Sequence, residues 1–269
     1  MSEATPVFGG SVPKIYHQYL VPLIFDEYAR DLADRLGAPD NASVLEIACG
    51  TGVLTRYLRS QLPESTRLVA TDLNPEMLEI AKQELADLKK IEYQTADGTS
   101  LPFADGEFDA VLCQFGVMFY PDKSLGYRET ARVLKPGGTY LFNTWDSFQY
   151  NTLCRLVHET VINKFSDDPP AFLAGPFGYH DIPEIESELY KVGFRDVAIF
   201  VLPKDSQAKS ARDIALALAT GTPLAAQLVE RGIEKEAFEV IEAALINELG
   251  SGEIICPMQA ITFVAKLPG

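Results

Sequence analysis

The chain has 269 residues, 47% of them hydrophobic and 23% charged, and a formal net charge of −15. That length allows one large α/β domain with additions or two small ones, and the apolar share supports a sizeable core and excludes long disorder. An acidic surface repels a phosphate backbone, which weighs against a nucleic-acid partner.

Cys49, Cys113, Cys154 and Cys256 show no Cys-x-x-Cys spacing and no nearby histidine pair, so neither a metal site nor a redox motif is predicted. Residues 1–10 lack the basic start and apolar run of a secretory signal. No run of about 18 apolar residues could span a bilayer. The expectation is a cytoplasmic protein with reduced, structural cysteines and no membrane partner.

Residues 11–36 carry Tyr16, Tyr19, Leu20, Leu23, Ile24, Tyr28, Leu32 and Leu36 at spacings mostly of three and four, which predicts amphipathic helices, the second beginning at Pro22. Residues 37–41 end this helical cap. A short apolar strand from Ser43 then runs into the turn Gly50-Thr51-Gly52, and a helix follows over 53–61. A second strand over 66–71 ends at Asp72, and Asn74 caps a helix over 74–88 with Pro75 in its first turn. The third strand, 91–96, ends at Asp97, and the fourth spans 108–114. A helix over 122–134 stops at Lys135-Pro136-Gly137-Gly138, read as a structural turn, before a fifth strand over 139–144. Strands alternating with helices predict a doubly wound, mostly parallel, Rossmann-like α/β sheet.

Beyond Trp145 the pattern changes. Helices are predicted over 151–165 and 182–192 around a loop at 166–180, then a strand over 196–202, a mostly helical stretch over 206–249 and a last strand over 260–266. Two strands so far apart do not make a plain hairpin, so 206–256 is expected to be an inserted helical lid. The predicted organisation is a helical cap (1–40), a core (41–147) completed by the strands near 196–202 and 260–266, and substrate-side helical regions at 148–192 and 206–256.

The glycine turn marks a small-molecule site. Gly50 and Gly52 permit a tight turn and close approach of a ligand to the backbone, and the next helix offers unpaired N–H groups. A dinucleotide fingerprint would place a third glycine where Thr55 stands. The first four strands end in Glu46 with the turn, Asp72, Asp97, and Gln114-Phe115, and parallel strands would bring these tips to one crevice. Asp72 lies 20 residues past Gly52, where an acid can accept ribose hydroxyl protons. That spacing alone also fits NAD. Three carboxylates with no evident Arg or Lys suit a cationic ligand better than a pyrophosphate.

Five ordered blocks resemble the class I S-adenosylmethionine-dependent methyltransferases. They are Leu45-Glu46-Ile47-Ala48-Cys49-Gly50-Thr51-Gly52, Asp72-Leu73-Asn74-Pro75-Glu76-Met77-Leu78, Asp97-Gly98 with Leu101-Pro102-Phe103, Phe108-Asp109, and Leu134-Lys135-Pro136-Gly137-Gly138. The resemblance covers roughly residues 41–145 and implies a seven-stranded sheet and methyl transfer to a small molecule. It implies S-adenosylmethionine as cofactor, with the glycine turn beside its methionine part and Glu46 acting on the amino group directly or through water. Asp72 would hold the ribose, Leu73 and Met77 the adenine ring, and Asp97 the adenine amino group. Ala48, Ala96, Gly98 and Gln114 complete the expected cofactor wall, and Tyr16 is expected to reach over it from the cap.

Each residue also has a plainer reading. Asp72 and Asp97 suit turns, Leu73 and Met77 suit a helix core, and Cys49 and Cys113 suit burial. His17, His158 and His180 are the histidines available as a general base. His180, in the aromatic stretch 175–181, is best placed, although a lone loop histidine is more often a surface hydrogen-bonding residue, and no catalytic base is assigned. Phe148, Tyr150, Phe165, Phe172, Phe177 and Tyr179 point to an apolar or aromatic substrate. Two other functions share these features: a non-catalytic S-adenosylmethionine sensor and a nicotinamide-dependent oxidoreductase.

Overall fold

The computed structural model describes residues 10, 12–37 and 40–269. The expected start of the cap and the helix end at Ala38 and Pro39 lie outside the described residues.

Seven strands form one sheet: β1 (Ser43–Ile47), β2 (Arg67–Asp72), β3 (Ile91–Thr95), β4 (Phe108–Gln114), β5 (Leu134–Trp145), β6 (Arg195–Ala208) and β7 (Ile254–Lys266). Their order is β3-β2-β1-β4-β5-β7-β6. The first five are parallel to one another, and β7 runs antiparallel between β5 and β6. Crossovers within the parallel part use α3 (Val53–Gln61), α4 (Pro75–Glu84) and α5 (Lys123–Val133). The central strands β1 and β4 are covered on both faces, which explains their near-continuous apolar runs.

Alternation along β1 assigns the two faces. Val44 joins Leu54, Leu58 and Leu112 beneath α3, while Leu45 and Ile47 join Val111, Cys113 and Phe142 on the opposite face. Asn74 caps α4 as expected, its side chain accepting the Glu76 N–H at 2.8 Å.

The N-terminal cap is a continuous helical run: α1 (Val12–Ile15), a wider π-helical stretch Tyr16–Phe25, and α2 (Asp26–Asp34). Pro22 therefore does not begin a second helix but lies inside the π-helical stretch. A proline ring crowds the carbonyl four residues earlier in an α-helix, and the wider turn accommodates it.

Several predicted ends shift. Leu134 already pairs with Phe108, so residues 134–138 open β5 with an irregular register instead of forming a separate turn. Strands β6 and β7 pair without interruption from Ala198↔Val264 to Ala208↔Ile254, so residues 206–208, read as helical, are strand. Residues 203–208 are polar with little apolar alternation, and the backbone ladder at this sheet edge holds them extended.

Between β6 and β7 come α9 (Ala211–Ala215), a π-helical turn Leu216–Thr220, α10 (Leu224–Arg231) and α11 (Glu234–Leu249). Ile214, Leu218, Leu224, Ile241 and Leu245 belong to the same continuous apolar cluster as the sheet. The other substrate-side helices are α6 (Thr152–Lys164), α7 (Ala174–Phe177) within the predicted loop, and α8 (Ile182–Lys191).

Candidate active site

Strands β1 and β4 are neighbours at the point where strand order reverses, and Ile47, the last residue of β1, pairs with Cys113, one residue before the end of β4. Each chain then turns sharply through a non-glycine residue in the left-handed region, Ala48 at φ 56° and Phe115 at φ 50°. Such conformations cost energy and concentrate at functional sites. A Cβ on Gly116 would lie 2.6 Å from Cys113 Sγ and 2.7 Å from Ala48 Cβ, so the two strand tips can meet only because residue 116 is glycine. The Phe115 N–H donates to Asn143 Oδ1 at 3.0 Å, and the Phe115 ring stacks on Trp145 at 3.9 Å and 14°.

A cavity of about 520 Å³ opens above this edge. One end is acidic. Asp72 Oδ2 accepts the Gly50 N–H at 2.8 Å, and Oδ1 accepts the Asn74 N–H at 2.8 Å. Burial raises the Asp72 pKa above the ordinary carboxylate value, and these two backbone bonds offset part of that rise. Asp97 Oδ1 accepts from the Thr99 N–H at 2.8 Å and its hydroxyl at 2.7 Å. Between these acids Leu73 is 49% exposed, an apolar surface left uncovered on the cavity wall, with buried Met77 beside it.

Among the described residues, the charged side chains lining the cavity are Asp72, Glu76 and Asp97, with no Lys or Arg. Carboxylates able to accept hydroxyl protons, a bare apolar platform and an absence of phosphate-binding cations fit a nucleoside bearing a sulfonium.

Tyr16, Ala48, Gly50, Asp72 and Leu73 line this cavity, as do Met77, Ala96, Asp97, Gly98 and Gln114. Tyr16 arrives from the π-helical stretch, its hydroxyl 3.7 Å from where a Gly50 Cβ would stand. Three expected residues are elsewhere. Glu46 lies behind the turn on the α3 face, where its Oε2 accepts the Thr55 hydroxyl at 2.6 Å and its buried Oε1 has no partner among the described residues. Desolvation is the main cause of its pKa being pushed up to about 8. Gly52 supports packing: at φ 89° it opens α3, and a Cβ there would lie 2.7 Å from Leu85 Cδ1. His180 is not on the cavity wall.

The other histidines are also outside the cavity. His17 Nδ1 is 3.0 Å from Thr51 Oγ1 and its Nε2 is 3.2 Å from Glu84 Oε2. His158 stacks on Phe148 at 4.8 Å, and burial lowers its pKa. Burial pushes the Cys113 thiol up to about 12 and raises Cys49 as well, which keeps both thiols protonated and unsuited to nucleophilic attack.

Sequence reasoning missed Phe25 and Trp145, which form the other wall with Phe115 and Phe177. Trp145 had a usable signal. It is the only tryptophan and follows directly on the predicted fifth strand, at the same edge as Asp72, Asp97 and Gln114. Phe25 had none, because its ring is indistinguishable from core at helical spacing.

The strand order, the acidic end of the cavity and the uncovered Leu73 fit a class I S-adenosylmethionine-binding site. Residues 45–142 match the family model described as a methyltransferase domain. The chain is 30% identical over 210 residues to the ubiquinone/menaquinone biosynthesis C-methyltransferase UbiE of Citrifermentans bemidjiense, covering 73% of this chain and 89% of that protein. The Hahella chejuensis enzyme of the same name is 38% identical over 117 residues, covering 42% of this chain and 47% of that protein.

The fold is shared with a putative methyltransferase from Bacillus halodurans, at TM-score 0.60 and 17% identity over 90% of this chain and all of that one. It is also shared with Haemonchus contortus phosphoethanolamine N-methyltransferase 2 in complex with S-adenosyl-L-methionine, at TM-score 0.61 and 17% identity over 96% of this chain and 57% of that one. The chain belongs to the class I S-adenosylmethionine-dependent methyltransferases. Its cofactor is S-adenosylmethionine and its acceptor a small molecule, which sets aside the sensor and oxidoreductase readings. Among the described residues no helix is long and apolar enough to cross a membrane.

Proposed function

We propose that the acceptor is a flat, apolar, aromatic small molecule, and not a nucleic acid, seated on the wall formed by Phe25, Phe115, Trp145 and Phe177. One observation carries this reading: the cavity has an acidic end and an aromatic end, and the aromatic end has no charged side chain among the described residues. Phe25 and Phe177 each stand 5.8 Å from Trp145, and Phe119 is stacked with Phe172 at 6.1 Å and 8° across the same region. Aromatic rings in these separations stack favourably with another ring. The relatives named for C-methylation in ubiquinone and menaquinone biosynthesis add support for a phenol or hydroquinone.

S-Adenosylmethionine, when bound, supplies an electrophilic methyl group on a sulfonium. In this reading Asp72 accepts the ribose hydroxyl protons, Leu73 and Met77 cover adenine, Asp97 accepts the adenine amino protons, and Gly50 leaves room for the methionine part. Tyr16 and Leu20 close the cavity from the cap, and Leu218 and Thr222 close it from the helices between β6 and β7, which act as the lid. The protein's contribution is then alignment of the acceptor and exclusion of water, both of which lower the barrier to transfer from a cation. Four free, buried cysteines support a reducing, cytoplasmic setting.

The test is incubation with labelled S-adenosylmethionine and matched sets of phenols, hydroquinones, alkyl amines and transfer RNA. Label on an arene is the expected product. Label on amines or RNA with none on any arene would overturn the reading.

A further inference from the structure

We infer that Gln114 selects the acceptor, its side-chain carbonyl being a fixed hydrogen-bond acceptor for a neutral O–H or N–H carried by the aromatic ring. The inference rests on the aromatic-acceptor reading above and moves Gln114 from the cofactor, where the sequence pattern put it, to the substrate.

Gln114 is the last residue of β4, at the strand-order reversal and immediately before the strained Phe115. Its Nε2 is 3.0 Å from the carbonyl oxygen of Phe25. A peptide carbonyl can only accept, so the amide nitrogen must face Phe25, and this settles which way the amide is turned. Oε1 is left with no protein partner among the described residues, yet it is not one of the buried, unpartnered polar atoms. Since Gln114 lines the cavity, Oε1 opens into it.

The surroundings decide what that oxygen wants. The Phe25, Phe115 and Phe177 rings offer no hydrogen-bond donor, and the Trp145 indole N–H in the same wall makes no hydrogen bond to Gln114, so the amide oxygen stays unpaired unless the ligand brings a donor. A phenolate would meet lone pair against lone pair. An ammonium would find an aromatic wall but no counter-charge at this end. A neutral phenol, hydroquinone or arylamine satisfies Oε1 and stacks at the same time. Phe25 holds Gln114 with its backbone and lines the cavity with its ring, so the polar contact and the stacking surface have a fixed relation.

The test uses protein loaded with S-adenosylhomocysteine, titrated calorimetrically with 1-naphthol and with 1-methoxynaphthalene, which differ in one donor hydrogen. The wild type should bind 1-naphthol about tenfold more tightly, the size expected when a desolvated polar group is paired or left unpaired. In Gln114→Met the preference should vanish through weaker 1-naphthol binding, with affinity for S-adenosylhomocysteine unchanged.

Equal binding of the two probes by the wild type overturns the role of Gln114 while leaving the aromatic acceptor standing, and it needs no variant. A preference that survives in Gln114→Met, or a parallel loss of S-adenosylhomocysteine affinity, overturns it too. Failure of both probes to bind removes the aromatic reading and this inference together.

Discussion

His17 Nδ1 lies 3.0 Å from Thr51 Oγ1, so the helix that covers the cavity is pinned to the glycine turn beneath it. The same imidazole reaches Glu84 on α4 through Nε2 at 3.2 Å, and its neighbour Tyr16 lies over Gly50. The Glu84 contact is partly exposed and worth little, whereas the Thr51 hydrogen bond should contribute roughly 0.5–1.5 kcal/mol. His17→Phe is therefore expected to weaken S-adenosylhomocysteine binding a few-fold with a small change in melting temperature. Calorimetric titration of folded variant and wild type checks this, and unchanged affinity would release the cap from any part in holding the cofactor.

Asp72 carries two duties, which a substitution series separates. Both its oxygens hold backbone N–H groups, of Gly50 and Asn74, and it also lines the cavity. Asp72→Asn keeps one acceptor for those groups but removes the charge, while Asp72→Ala leaves both without the side chain. We expect Asp72→Ala to lose on the order of 1–3 kcal/mol of cofactor affinity, with Asp72→Asn intermediate. Thermal unfolding without ligand measures the structural share. If affinity is retained in a folded Asp72→Ala variant, the carboxylate has no contact with the ribose.

Much of the fold could be read ahead because each parallel strand is a short apolar run closed by a punctuating residue. Asp72, Asp97 and Gly50 show up in sequence since a chain turning out of a strand toward a ligand needs those residue types. Two kinds of feature could not be read. One is a side chain's face: Glu46 and Leu45 are adjacent, and the strand's alternation turns Glu46 toward Thr55 and away from the cavity. The other is pairing without hydrophobic alternation, as in residues 203–208, where only the backbone ladder to β7 keeps the chain extended. Nor does a helical pattern reveal a π-helical register, although Pro22 inside it was visible.

Glu46 makes the protein's stability depend on pH. Its folded pKa of about 8 stands above its ordinary value of 4.5, chiefly through desolvation. The native state therefore binds a proton more readily than the unfolded chain, and stability from this group is full below pH 4.5 and declines as pH rises toward 8. Glu46→Gln holds a neutral amide at every pH and should remove that decline. Melting temperatures of the two proteins across this range should diverge, the variant losing less on the alkaline side. Parallel curves would show that Glu46 is ionised in the folded protein.

Gly116 tests whether the meeting of the two strand tips is as tight as its contacts state. Adding one methyl group brings Cβ to 2.6 Å from Cys113 Sγ and 2.7 Å from Ala48 Cβ, distances at which something must move. Cys113 and Ala48 lie at the tips of neighbouring strands, one just before the end of β4 and one just after the end of β1, and overpacking of this kind costs about 1–3 kcal/mol. Gly116→Ala should lower stability by that amount in denaturant unfolding. Ala48→Gly, which removes one clashing atom and suits φ 56°, should recover part of it in the double variant. The recovery should exceed the effect of Ala48→Gly alone, because the two residues touch and their energies do not add. Strict additivity would mean that the clash is relieved through Cys113 and that Ala48 does not determine the spacing of β1 and β4 at the cavity floor.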